Sequence, residues 1–155
     1  MYRTIVWATD GSPGADAALE EACRFAAVSG AHIVAVHCDQ RLRGRAGGWS
    51  AFADEEDLLL VIHRQVEQLA EEGVDIELMM RHSHQEAADA VAALAAELDA
   101  DVIVCGTRGR TALAGAFLGS FTQRLLHIAP CPVLAVRAKS PDVGTVRLQE
   151  TEVHV

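Results

Sequence analysis

Three glycines at fixed intervals constrain this chain more than any other feature. They lie in Gly106-Thr107-Arg108-Gly109 and, ten residues after Gly109, in Gly119-Ser120-Phe121-Thr122. Before them runs Val102-Ile103-Val104-Cys105, an apolar stretch that reads as a buried strand. After them, residues 123–129 read as a helix. A strand, a glycine loop and a helix start are together the parts of an anion site. Glycines let main-chain N–H groups approach a phosphate with no Cβ in the way. The free N–H groups and dipole of a helix start then favour negative charge. Ser120 and Thr122 add hydroxyl donors, and Arg108 and Arg110 add positive charge. The spacing G-x2-G-x9-G-S is neither a Walker A loop, since no lysine adjoins Gly119, nor the tighter G-x-G-x-x-G dinucleotide pattern.

Around this loop the chain alternates strand-like and helix-like stretches. Thr4–Ala8 is a short apolar run, expected as a strand buried on both faces. Ser12 then suits a helix cap, Pro13 the first helical position and Gly30 the C-terminal cap. Residues 31–38 predict a second strand. The glycine-rich segment 39–53, with Trp49 and Phe52, predicts a long loop of the kind that often forms a lid or binding segment. Leu59, Ile62, Val66 and Leu69 mark a helix that Gly73 stops. Residues 74–80 alternate as a third strand. Ser83 and Glu86 have the spacing of a capping box before the helix carrying Val91, Leu94 and Leu98. Pro130 and Pro132 force extended backbone into a fifth strand, 133–136. Such alternation predicts right-handed βαβ units and a parallel sheet. Ligands then bind beyond the carboxyl ends of the strands.

At 155 residues the chain makes one domain with a sizeable core. The domain proper is expected over 1–138, with 139–155 a β-prone tail that could serve as a dimer arm. Half the residues are hydrophobic but only 5% are aromatic, so Ala, Val, Leu and Ile must fill the core. A formal charge of −9 argues against nucleic acid and anionic membranes as general partners. Met1–Thr4 lead straight into an apolar run without signal-peptide architecture, no run is long enough to span a bilayer, and the cysteines, Cys23, Cys38, Cys105 and Cys131, form no C-x-x-C pair. A cytoplasmic protein with reduced thiols is expected.

Three stretches in register resemble the universal stress protein family, in its ATP-binding branch: Ile5–Ser12 its opening strand and acidic turn, Asp101–Gly109 its fourth strand and loop, and Ala129–Val136 its closing strand. The resemblance spans residues 2 to 138. It implies an open five-stranded Rossmann-like sheet in the order 3-2-1-4-5, which brings the first and fourth strands side by side. It implies that Ala8 and Thr9 line the base and ribose side, and that Asp10 contacts ribose or holds Mg²⁺ through water. It implies that Val36 offers backbone groups and an apolar wall to adenine. It further implies that Gly106, Arg108, Gly109, Gly119, Ser120, Phe121 and Thr122 hold the phosphates of ATP. Phe121 stands where the family usually has a smaller aliphatic residue. The family also pairs its fifth strands into a homodimer, consistent with an apolar edge that needs covering.

Other readings of the same residues stay open. Asp10 could simply cap a turn, and Arg108 and Arg110 could be solvated. His37, His82 and His84 invite a metal hypothesis, although the capping pattern accounts for the sequence around the last two. Cys131 lacks an activating neighbour and reads as inert. A stress-response ATP-binding module, without enzyme activity beyond slow hydrolysis, is the first expectation: there is no Walker lysine and no evident base. A nucleotide-independent dimeric interaction protein and an ATP-using enzyme are the alternatives. The stress signal and the downstream partner are not legible.

Overall fold

The computed structural model describes residues 1–40, 42–43, 49–50, 55–83, 86–110 and 117–139. The elements follow as β1 (Thr4–Ala8), α1 (Pro13–Ser29), β2 (His32–Gln40), β3 (Leu42–Arg43), β4 (Trp49–Ser50), α2 (Glu55–Glu71), β5 (Ile76–Ser83), α3 (Ala87–Glu97), β6 (Val102–Gly106), α4 (Ser120–Ile128) and β7 (Val133–Val136). The five long strands form one parallel sheet in the order β5-β2-β1-β6-β7. Counting those strands alone, this is the expected 3-2-1-4-5. The second and fourth of them flank β1, so the chain reverses direction across the sheet between β1 and β6.

Alternation along β1 explains the two-sided core. Val6 and Ala8 face one layer with Val34, Val36, Ile103 and Cys105, covered by Val91 and Leu94 of α3 and Leu125 of α4. Ile5 and Trp7 face the other with Ile33, Ala35, Val102 and Val104, covered by Ala18, Ala22 and Ala26 of α1 and Val66 of α2. Successive side chains on a strand point to opposite faces, so a strand covered on both reads as a continuous apolar run. The alanines of α1 recur every fourth residue and present a flat face. That face accommodates Trp7, which is fully buried and donates its indole N–H to the Ala15 carbonyl at 2.9 Å.

Local signals for α1 are met in full. The Ser12 hydroxyl accepts from the Ala15 N–H at 3.3 Å, Pro13 opens the helix, and Gly30 closes it in the left-handed region at φ 70°. Elsewhere the structure departs from the expectations. No capping box forms at Ser83: β5 keeps pairing with β2 as far as Gln40↔Ser83, and Glu86 occupies the N-cap of α3 without a side-chain cap bond. Sheet pairing thus committed the backbone that the box required. β2 likewise extends to Gln40, and β3 pairs antiparallel with β4 inside the segment expected as loop. The expected lid role of Trp49 and Phe52 rests on side chains outside those described, and the histidine at 84 and the tail over residues 140–155 likewise lie outside the described residues. Among the described residues no helix is long and apolar enough to cross a membrane.

At the amino-terminal edge of the sheet, His32 sits between two carboxylates, with Nδ1 2.8 Å from Asp75 and Nε2 3.0 Å from Glu77. Burial works against the charged ring, but bonding to Glu77 and Asp75 outweighs it and raises the His32 pKa above its ordinary value. A histidine with a raised folded pKa contributes stability in full below its unfolded value, and loses it as pH rises through the folded one. His32→Gln should therefore lower the melting temperature at pH 5.5 and have a smaller effect at pH 9, read by thermal denaturation across that range. An equal loss at both ends would show that packing, not charge, makes the contact.

Candidate functional site

β1 ends where Thr9, Asp10 and Gly11 turn into α1, and β6 ends at Gly106. Because the two strands are neighbours, both exits open on one cleft of about 450 Å³. All the residues expected at the site line it: Ala8, Thr9, Asp10 and Val36 on one side, and Gly106, Arg108, Gly109, Gly119, Ser120, Phe121 and Thr122 on the other. Asp10 ties the sides together. One carboxylate oxygen accepts the Ser12 N–H at 3.0 Å and the other the Arg110 N–H at 2.9 Å. The turn-cap reading of Asp10 is thus realised, and it extends across the cleft to the glycine loop.

The glycines have separate physical reasons. A Cβ on Gly109 would lie 2.6 Å from the Asp10 carboxylate. A Cβ on Gly106 would lie 2.7 Å from the backbone of Gly14, in the first turn of α1, and one on Gly14 would reach 2.8 Å from the Arg108 carbonyl. These residues let helix and loop touch backbone to backbone. Gly119 differs: its nearest neighbours would be at 3.5 to 3.7 Å, ordinary contact. Packing among the described residues does not demand a glycine there.

Two expected phosphate donors are already used. The Gly119 N–H donates to the Thr107 carbonyl at 2.8 Å, and the Thr122 hydroxyl donates to the Gly106 carbonyl at 2.8 Å. They fold the loop instead of facing a ligand. The available donors are one step further on. Gly119 is the N-cap of α4, with no side-chain cap bond, and the first intrahelical bond runs from the Gln123 N–H to the Gly119 carbonyl. The N–H groups of Ser120, Phe121 and Thr122 therefore have no intrahelical partner, and all three residues line the cleft.

The adenine role expected of Val36 also needs correction. Its carbonyl accepts the Thr9 N–H at 2.9 Å. In β2 the His32 N–H goes to Arg3, on the β1 side, and the Ile33 N–H goes to Asp75, on the β5 side. Backbone groups alternate between neighbours along a strand, so Cys38 is the next residue after Val36 to face the β1 side. β1 has already ended there, and Cys38 lines the cleft. Val36 supplies an apolar wall, and Cys38 supplies the outward-facing main chain. Strand periodicity could have found Cys38, had the end of β1 been counted against the length of β2.

Sequence reasoning missed the buried pair at the back of the cleft. His37 and Glu55 have side chains 4% and 9% exposed, with Nε2 2.6 Å from Glu55 Oε1. His37 Nδ1 lies 2.9 Å from the Thr9 carbonyl, which only accepts, so Nδ1 carries hydrogen. The other Glu55 oxygen is 3.5 Å from Arg110 Nη1. Glu55 opens α2, where a helix start favours its charge. Nothing in a lone Glu at a helix start marks it as buried. With both His37 nitrogens engaged, and His82 3.3 Å from Asp39, no group of three or more His, Cys, Asp or Glu is placed to hold a metal among the described residues. The two thiols lining the cleft are poor nucleophiles: burial pushes Cys38 and Cys105 each up to about 11.

The sequence model of the universal stress protein family matches residues 1–137. A universal stress protein of Thermus aquaticus, encoded in the 3′ region of a QAH/OAS sulfhydrylase, is 32% identical over 144 residues, 88% of this chain and all of that protein. Among solved structures, a universal stress protein in complex with cAMP is 29% identical, with a TM-score of 0.67 over 89% of this chain and 99% of the other. One from Archaeoglobus fulgidus is 26% identical, with a TM-score of 0.69 over 88% of this chain and 99% of the other.

Proposed function

Because this chain belongs to the universal stress protein family, we propose that its cleft binds an adenine nucleotide, ATP above all, and that the protein is a stress-response binding module, not a catalyst. The observation that carries this is the start of α4. The three residues whose main-chain N–H groups have no intrahelical partner, 120 to 122, line a cleft of about 450 Å³, a size suited to a small ligand. No side chain caps them, although a serine or aspartate at 119 would do so readily. A phosphate is the group that completes such a helix start. The spare glycine at 119 supports the same reading, because a side chain there would stand over those donors. A related universal stress protein crystallised with cAMP supports an adenine ligand. Apolar lining from Ala8, Val36 and Val91 suits a base, and the main chain of Cys38 offers it a donor and an acceptor.

Asp10 is the one carboxylate among the lining residues, and both its oxygens already hold N–H groups. Each oxygen keeps a further lone pair, so Asp10 would hold a Mg²⁺ ion through water, the ion supplying charge neutralisation to the phosphates. The cleft contains no lysine. His37, the one imidazole lining it, has both nitrogens occupied. These residues support binding with at most slow hydrolysis. A homodimer belongs to the same proposal: β7 lies at the sheet edge and is only half-covered along its whole length. Native mass spectrometry of freshly purified protein tests both. The expected spectrum is a dimer carrying adenine nucleotide. A dimer with no bound nucleotide, and no thermal shift on adding ATP, would leave the dimeric interaction-module alternative in place, and a monomer would discard the homodimer.

A further inference from the structure

Resting on that nucleotide reading, we infer that Glu55 is a specificity-determining residue which does not itself touch the ligand: it pairs with Arg110 and yields it to a bound phosphate, and so sets how strongly phosphorylated adenine ligands are preferred over adenosine. The geometry of Glu55 is lopsided. One oxygen lies 2.6 Å from His37 Nε2, while the other reaches Arg110 Nη1 only at 3.5 Å. The first is a short charge-assisted contact, and the second is a single loose one. Glu55 can therefore lose Arg110 and stay bonded, and its burial charge is not left without a partner. Arg110 is the more accessible partner of the two. Its backbone N–H is pinned to Asp10 beside the glycine loop, and its side chain is 27% exposed, against 9% for Glu55. The residue also lines the cleft. A phosphate offers a guanidinium more charge and a bidentate face, which this carboxylate, engaged with His37, does not. Glu55 thus competes with the ligand for one arginine.

The test is calorimetric titration of ATP, AMP and adenosine into wild type, Glu55→Gln, Arg110→Gln and the double variant. Glutamine keeps the shape of Glu55 and can still bond His37. Glu55→Gln should bind ATP and AMP about three- to tenfold more tightly, and adenosine within about twofold of wild type, since a partly exposed ion pair is a modest competitor. In the Arg110→Gln background the same change should bring no gain. A gain that persists without Arg110 would mean that Glu55 acts only through its bulk negative charge, and it overturns the inference. So does an equal gain for adenosine. If no adenine compound binds wild type, both the nucleotide reading and this inference fall; if all three bind and Glu55→Gln changes none, only the inference does. A wild-type measurement guards against a misfolded variant. The His37 ring ¹⁵N resonances should shift with ATP and stay in place with adenosine, and unchanged resonances with both would also overturn it.

Discussion

Gly119→Val is expected to weaken ATP binding by at least about 100-fold, roughly 2.7 kcal/mol, while leaving the fold nearly as stable as before. The two halves of that result have separate causes. A Cβ at this position would meet Arg108 Cα at 3.5 Å, Thr107 O at 3.6 Å and Gly109 N at 3.7 Å, so the described residues leave room for it. The backbone sits at φ −69°, a conformation open to any residue. Valine is a poorer N-cap than glycine, which should cost no more than about 1 kcal/mol. The loss of binding comes from the branched side chain standing over the N–H groups of residues 120 to 122. Isothermal titration and a melting curve on the same preparation read both halves. Undiminished binding would mean that the α4 start is not where phosphate sits. A collapsed melting curve would mean that the spare room at 119 is not real. Gly106 is the internal control: a Cβ there meets Gly14 backbone at 2.7 Å, so Gly106→Val should fail to fold, not merely fail to bind.

Trp7→Ala should lower stability by about 3–5 kcal/mol. A domain of this size holds only about 5–15 kcal/mol in all, so the variant would be close to unfolding at ambient temperature. Trp7 is fully buried at the centre of the sheet, on the strand that both neighbouring strands pair with. Removing it opens a cavity against the alanine face of α1, whose methyl groups are too short to refill it. It also leaves the Ala15 carbonyl without the indole N–H. Equilibrium denaturation by urea measures the change. Trp7→Phe should lose less, because it refills most of the volume and forfeits chiefly the hydrogen bond. A small effect for Trp7→Ala would show that α1 can settle onto the sheet without its anchor.

Much of the architecture was legible because each signal was local and nothing overrode it. Thr4–Ala8 and Val133–Val136 begin and end where their apolar runs do, and Ser12, Pro13 and Gly30 bound α1 as their chemistry prescribes. Where reading and structure part, a long-range partner is responsible. Ser83 has the sequence of a cap, but Gln40 recruits it into the sheet. The site was legible as a location and less so as an assignment of donors. That Asp10 and Gly109 would meet followed from strand order. That the amide of Gly119 and the hydroxyl of Thr122 would turn inward, to Thr107 and Gly106, depends on the path of the loop. The His37–Glu55 pair joins residues 18 apart on separate elements, and no periodicity announces such a meeting.

The carboxylate that spans the mouth of the cleft has a thermodynamic implication. Asp10 fastens the residues after β6 to those after β1 through the protein's own hydrogen bonds, so that part of the cleft is set during folding. A guest arriving there forgoes the conformational entropy loss that ordering a slack loop would add. Pre-organisation of this kind favours quick capture over slow accommodation.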